Sequence, residues 1–472
     1  MPERHEKMPE RITLDYNLML TTRLGEGRGI EPERLETALL RLEEAETRVS
    51  EWRAEGRLGF YDLVRQTGTI EMIEEFTEES RGRFEDIVVL GIGGSALGTR
   101  ALRDAILDPS WNELPPEARE GRPRLHILDN IDPTTIRSLL ERIDLKRTLF
   151  NVVSKSGTTA ETMAQFLVVQ GLLREEIDGS DYREHLVLTT DPEGGFLRAL
   201  ADEEQINAFP IPPNVGGRFS VLSPVGLLPA ALVGIDIEEL LDGARDLEER
   251  CRETRLEENP AAIYALLQYL ADTEQGARVH VLMPYSDRLA AIGDWFVQLW
   301  AESLGKRFDL EGNEIFTGPT PVKAIGATDQ HSQTQLYMEG PFDKTITFLT
   351  LGEYPADLEI PGLYPEAEAL AYLGGHTLAG LLEAEQRATA LALARAGRMN
   401  MTIEMPTLRP HMIGQLLMFF QIATVYAGAL YGIDPLDQPG VELGKELTYG
   451  LMGRDGYEAP ARVETDTRWI AT

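Results

Sequence analysis

The apolar and polar positions divide the chain into stretches of different texture. Near the start Leu35, Leu39, Leu40 and Leu42 stand among Glu and Arg at the spacing of an amphipathic helix. This predicts a helical N-terminal region over 1–84. From Asp86 the texture changes. Short apolar runs at 87–90, 125–128, 149–153 and 186–188 each end in Gly, Ser, Thr, Asp or Asn, and helix-like stretches such as 159–176 lie between them. The pattern restarts near Arg278 with runs at 279–283, 322–325 and 345–351 and a helix over 286–304. Alternation of this kind predicts an α/β fold with doubly wound, mostly parallel sheets. The expected organisation is two such subdomains, 85–205 and 260–434, joined by a helical segment over 206–259. A C-terminal arm over 435–472 shows little periodicity.

One run stands apart from this alternation. Residues 412–433 carry no charge over a length that could cross a bilayer. They include Gln415 and Gln421 and lead into a polar tail, so a buried core or subunit-interface helix is expected and no membrane partner. Composition then narrows the partners. The 472 residues hold 78 Asp and Glu against 45 Lys and Arg, a net charge of −33. That field opposes nucleic acid, and it means that any anionic ligand has to be held by a local site. The single cysteine, Cys251, excludes an intramolecular disulfide and a Cys-based metal site, which fits a reducing, cytoplasmic setting. No pair of the seven histidines has metal-ligand spacing on a helix, and no metal is expected.

Six segments carry candidate chemistry. Gly91-Ile92-Gly93-Gly94-Ser95-Ala96-Leu97-Gly98 follows the first predicted strand and opens a helix, a place where backbone approaches a ligand closely and an anion is favoured. Its spacing mimics a dinucleotide fingerprint, but the acidic residue that should follow about 20 residues on is badly placed, since the next strand ends at Asp129. Ser154-Lys155-Ser156-Gly157-Thr158-Thr159 follows the third strand and also opens a helix. Thr158 and Glu161 fit a capping box. Four hydroxyls around a glycine exceed what capping needs and suit a phosphate monoester at the helix start. Gly216-Gly217-Arg218 sets an arginine at the lip of apolar sequence, either as a structural ion pair or as a charge stabiliser. Gln298 and Glu302 share one helix face, with Trp295 and Trp300 near enough in sequence to desolvate the carboxylate. His331 sits in a polar run after a strand. In the tail, Gly444 permits close backbone approach beside Lys445. From these residues alone an enzyme acting on a sugar phosphate, a non-catalytic sugar-phosphate sensor and a nicotinamide-dependent dehydrogenase all stay open.

Taken in order, the segments resemble the phosphoglucose isomerase family over residues 85–447. The resemblance is carried by Gly91 to Gly98, the 154–159 loop, Val215-Gly216-Gly217-Arg218-Phe219-Ser220, Gln298 with Glu302 and Lys306, Gln330-His331, and Gln438-Pro439-Gly440-Val441-Glu442-Leu443-Gly444-Lys445. Leu436 departs from it, because the family's last motif usually opens with an aromatic residue. The resemblance implies a sugar-isomerase-type fold and reversible isomerisation of glucose 6-phosphate to fructose 6-phosphate with no cofactor. It implies Ser154, Ser156 and Thr159 as phosphate ligands, and Gly94 and Ser95 as sugar-facing contacts. Glu302 would be the base, Arg218 the partner of the enediolate oxygen, and His331 with Lys445 the ring-opening pair. Gln298 and Gln438 would position the sugar. It further implies a homodimer in which His331 reaches the neighbouring active site.

Overall fold

A computed structural model describes residues 11–179, 181–253, 255–461 and 467–470. The strands in chain order are β1 (Thr13–Asp15), β2 (Asp86–Leu90), β3 (Arg124–Leu128), β4 (Thr148–Val153), β5 (Leu186–Thr190), β6 (Ala208–Pro210), β7 (Val279–Pro284), β8 (Lys306–Phe308), β9 (Glu314–Thr317), β10 (Thr320–Lys323), β11 (Lys344–Leu351) and β12 (Asn400–Met405). The first sheet has the order β3-β2-β4-β5-β6 and every pairing in it is parallel. The second has the order β1-β12-β11-β7-β10, parallel except where β1 pairs antiparallel with β12. The chain is thus α/β with two doubly wound sheets. β2, β4 and β5 are buried at every residue, which is why they read as mostly apolar runs.

Three points of the expected organisation change in detail. The N-terminal region is not only helical, because β1 forms the edge of the second sheet and the Pro32–Ala54 helix packs on the Pro410–Tyr431 helix. The first sheet runs past residue 205 to take in β6. The arm contains a helix, Glu442–Leu451. Periodicity could not find β1 and β6 because each is three residues long, and the arm helix is broken up by Gly444 and Gly450.

The uncharged run is the Pro410–Tyr431 helix, started by Pro410 and stopped by Gly432 in the left-handed region at φ 70°. It is buried along its length against the Ile237–Glu253, Pro260–Gln275, Pro32–Ala54 and Ala290–Leu304 helices. Each of its two glutamines finds a partner inside the protein, although Gln421 Oε1 has none among the described residues. The Ile12 N–H donates to Gln415 Oε1 at 3.2 Å, and Gln421 Nε2 donates to the Phe219 carbonyl at 2.9 Å. Buried amides that meet partners in this way suit a core helix.

Candidate functional site

Strand order fixes where a ligand can enter the first sheet. From β2 the chain moves outward to β3, then returns to the other side of β2 as β4 and continues to β5 and β6. The switch point lies between β2 and β4, and the loops after those strands face each other across a crevice at the carboxyl edge. They are the glycine loop 91–95 and the hydroxyl loop 154–159.

The hydroxyl loop is held by its own side chains. Ser154 is buried, and its Oγ lies 2.9 Å from Thr159 Oγ1. Ser156 Oγ accepts from the N–H and the hydroxyl of Thr158, both at 3.2 Å. The expected Thr158–Glu161 capping box is therefore not formed. The N-cap of the Ala160–Glu176 helix is Thr159, which makes no capping bond with its side chain. The hydroxyls serve one another, and the first-turn N–H groups stay available to an anion. Gly157 has φ 64°, and a Cβ there would stand 2.9 Å from the Leu197 nitrogen, so only glycine fits against the turn after β5. Lys155 is turned from the crevice and donates to the carbonyls of Pro213 at 2.6 Å and Val215 at 3.0 Å. Burial holds its ammonium below the usual lysine range.

The glycine loop makes the second contact. A Cβ on Gly94 would lie 2.2 Å from the Gly217 carbonyl carbon and 2.7 Å from Arg218 N. The backbones of 91–95 and 216–218 touch there, and that contact aims Arg218 at the crevice. Gly93, at φ 55°, leaves room for Gln298 Nε2, which would be 3.0 Å from a Cβ at that position. Gln298 Nε2 is also 3.4 Å from Glu302 Oε2, while its Oε1 is buried and has no hydrogen-bond partner among the described residues. Asp129, where a dinucleotide's ribose partner would be sought, pairs instead with Arg100 at 2.6 Å.

Arg218 is the hub. Its side chain is 2 % exposed. Nε donates to Ser303 Oγ at 2.6 Å, and Nη1 to Gln438 Oε1 at 2.6 Å and Glu302 Oε2 at 3.4 Å. Nη2 donates to the carbonyls of Pro435 at 2.6 Å and Asp437 at 3.1 Å. Burial lowers its pKa from the ordinary value, and the nearby Glu302 carboxylate opposes that shift. Such a guanidinium stays charged, so the site holds a fixed cation against a half-exposed carboxylate. The expected tryptophan pocket around Glu302 is not what its side chain contacts show. Trp295 and Trp300 belong to the main core cluster, and Trp300 Nε1 donates to His280 Nδ1 at 3.0 Å. Within hydrogen-bonding reach, the neighbours of the Glu302 carboxylate are Arg218 and Gln298.

The chain brings Gly94, Ser95, Arg218, Gln298, Glu302 and Gln438 together, beside the 154–159 loop. It does not bring His331 and Lys445 to them. His331 is exposed at the end of a 3₁₀ turn, Thr328–His331, whose Gln330 donates to Tyr285 Oη at 2.6 Å. Lys445 is exposed and paired with Glu442 at 2.7 Å. The expected close approach at Gly444 is absent too, because a Cβ there would meet nothing within 4 Å. Two residues of the hub had no role assigned from the sequence. Ser303 is fully buried and holds Arg218 Nε. Lys306 entered only as part of the segment that carries the resemblance, yet its ammonium lies inside the same network.

Known proteins resemble this chain over nearly its whole length. A sequence model described as phosphoglucose isomerase matches residues 64–455. A glucose-6-phosphate isomerase from Carboxydothermus hydrogenoformans is 49% identical over 409 residues, which are 86% of this chain and 88% of that one. Among solved structures, a hypothetical protein from Thermus thermophilus superposes with a TM-score of 0.84 at 42% identity, covering 94% of this chain and 100% of the other. A glucose-6-phosphate isomerase from Chlamydia trachomatis does so with a TM-score of 0.78 at 25% identity, covering 94% and 89%.

Proposed function

The chain belongs to the phosphoglucose isomerase family, and from that premise we infer that it is an aldose–ketose isomerase that interconverts D-glucose 6-phosphate and D-fructose 6-phosphate. The observation that carries the reading is the meeting of a carboxylate and a buried cation at the sheet's switch point, Glu302 Oε2 with Arg218 Nη1 at 3.4 Å. Moving a carbonyl between C1 and C2 needs one carboxylate to take a proton from one carbon and return it to the other. It also needs fixed positive charge where the enediolate develops.

In the proposed roles, Glu302 transfers the proton and Arg218 faces the enediolate oxygen. Ser154, Ser156 and Thr159 hold the phosphate together with the helix-start N–H groups, and so supply binding energy away from the reacting carbons. Gly94 and Ser95 line the sugar. The buried, unpartnered Oε1 of Gln298 is an acceptor for a sugar hydroxyl, and Gln438 is steered by Arg218. Ring opening falls to His331 and Lys445. Because His331 is exposed on its own chain, the proposal includes a homodimer in which each protomer presents His331 to the other's crevice, and in which Lys445 closes over the substrate from the arm. A cytoplasmic setting belongs to the same proposal and rests on the single cysteine, Cys251.

The test is a coupled assay in both directions, run with and without EDTA. Turnover of both sugar phosphates that EDTA does not change is the expected result. Binding of glucose 6-phosphate without turnover would favour the sensor instead.

A further inference from the structure

Lys306 begins β8, directly after the helix that carries Glu302. Its side chain is 5 % exposed. The ammonium donates to the Glu302 carbonyl at 2.9 Å and the Ser303 carbonyl at 2.8 Å, and it lies 3.5 Å from Asp437 Oδ1. Arg218 grips the same pieces from the other side, through Ser303 Oγ and the carbonyls of Pro435 and Asp437. Two buried cations therefore clamp the end of one helix to the arm segment 435–438. Placing two like charges side by side out of water is unfavourable for stability alone. It is the arrangement expected where negative charge must be accommodated during a reaction. There is also a local reason for the lysine. Glu302 lies in the last turn of the Ala290–Leu304 helix, where free carbonyls make the environment negative and disfavour a carboxylate. The ammonium sits on two of those carbonyls and offsets them.

We propose that Lys306 is a positioning residue for the isomerisation, which keeps the base Glu302 and the substrate-facing Gln438 in register and neutralises the helix end on which Glu302 is mounted. The inference rests on the reading of Glu302 as the base. Burial lowers the Lys306 pKa and Arg218 adds to that, while Asp437 of the arm and Asp434 just before it act against it. Asp434 is itself paired with Arg57 at 2.5 Å.

The test uses the full chain, with Lys306→Met, Lys306→Arg and Asp437→Asn, assayed with fructose 6-phosphate. Lys306→Met should lower kcat about tenfold with KM within about twofold, and should displace the acidic limb of the kcat profile upward by about one pH unit. Lys306→Arg should recover both. Asp437→Asn changes an exposed side chain and keeps its backbone contact to Arg218, and it should move the limb in the opposite direction. A Lys306→Met profile that superimposes on the wild type overturns the inference, and so does a Lys306→Arg enzyme as impaired as Lys306→Met. If Lys306→Met does not fold, an unmoved limb in Asp437→Asn overturns it. A fully active Glu302→Gln would instead remove the reading of the base. An inactive Glu302→Gln beside an unaffected Lys306→Met removes only the role of Lys306.

Discussion

The two sheets share a winding pattern but use it differently. In the first, the switch point between β2 and β4 is edged by Gly93, Gly94, Ser154, Ser156 and Thr159, and it stays open. In the second, the corresponding point lies between β7 and β11 and is edged by tyrosines. Tyr285 is buried, stacks edge-on against Phe348 at 5.8 Å, and takes a hydrogen bond on its carbonyl from Tyr354 Oη at 2.6 Å. A cavity of about 590 Å³ remains beside it, but Asp15, Glu383 and Glu404 line it, with Arg387 as the one basic residue in its lining among the described residues, a poor match to a phosphate. The second unit reaches the site from its other edge. The Ala290–Leu304 helix follows β7 and returns antiparallel to it, as a crossover to parallel β10 requires, which carries Glu302 to where the strands begin. Winding thus supplies a crevice in each unit. The residue types at the loop tips decide which one accepts a ligand, and the other unit is free to lend a helix end.

The sharpest way to break this comparison is at that helix end. Glu302→Gln should lower turnover by about 10²–10⁴ with an unchanged melting temperature. Near-full activity would leave that helix end without the base. Next in size is Gly94→Ala, which forces apart the contact with Gly217. It should lower kcat about tenfold or more and cost about 1–3 kcal/mol in a denaturant melt. Gly444→Ala, in open space, should do neither, and equal effects would contradict the backbone contact. Ser154→Ala should raise KM for either sugar phosphate about tenfold, the worth of one hydrogen bond to a charged group. In the same experiment inorganic phosphate should slow amide exchange at 154–160 and leave the turns after β7 and β11 unchanged.

The smallest effect lies on the opposite edge of the first sheet. Burial pushes the Asp86 pKa up, but hydrogen bonds from His126 and Arg124 outweigh it and hold the carboxylate below its usual range. A lowered carboxylate stabilises the fold above its unfolded pKa and loses that contribution as pH falls through the folded one. Asp86→Asn should lower the melting temperature at neutral pH by about 2–4 °C, with a deficit that closes below about pH 4, and should leave turnover intact.

Most of the sheet framework was legible because central parallel strands are apolar on both faces and announce themselves as runs. β12 was not, since Asn400, Thr402 and Glu404 interrupt its run even though Asn400 is buried, where it donates to the Ala390 carbonyl at 3.2 Å. The six site segments were legible as glycine, hydroxyl and charged clusters. Their connections were not. Nothing local marks Ser303 as the partner of an arginine 85 residues earlier. A lysine after a helix looks the same whether its ammonium is solvated or buried. The capping box failed for a related reason. The pattern at Thr158 and Glu161 is satisfied by a cap or by hydroxyls that face one another across a ligand site, and spacing does not separate the two.

The buried Pro410–Tyr431 helix has a consequence for the order in which the protein is made. It fills the space between helices that begin at Pro32, Ile237, Pro260 and Ala290, yet it leaves the ribosome after all four of them. Until then those helices have no common partner, and their apolar faces wait open. The first sheet can close early on its own strands, whereas the joint core, and with it the meeting of Arg218 and Glu302, forms only once this helix has emerged. A truncation within this helix would therefore cost the whole molecule its centre, and a nascent chain stalled before it is a natural client for a chaperone.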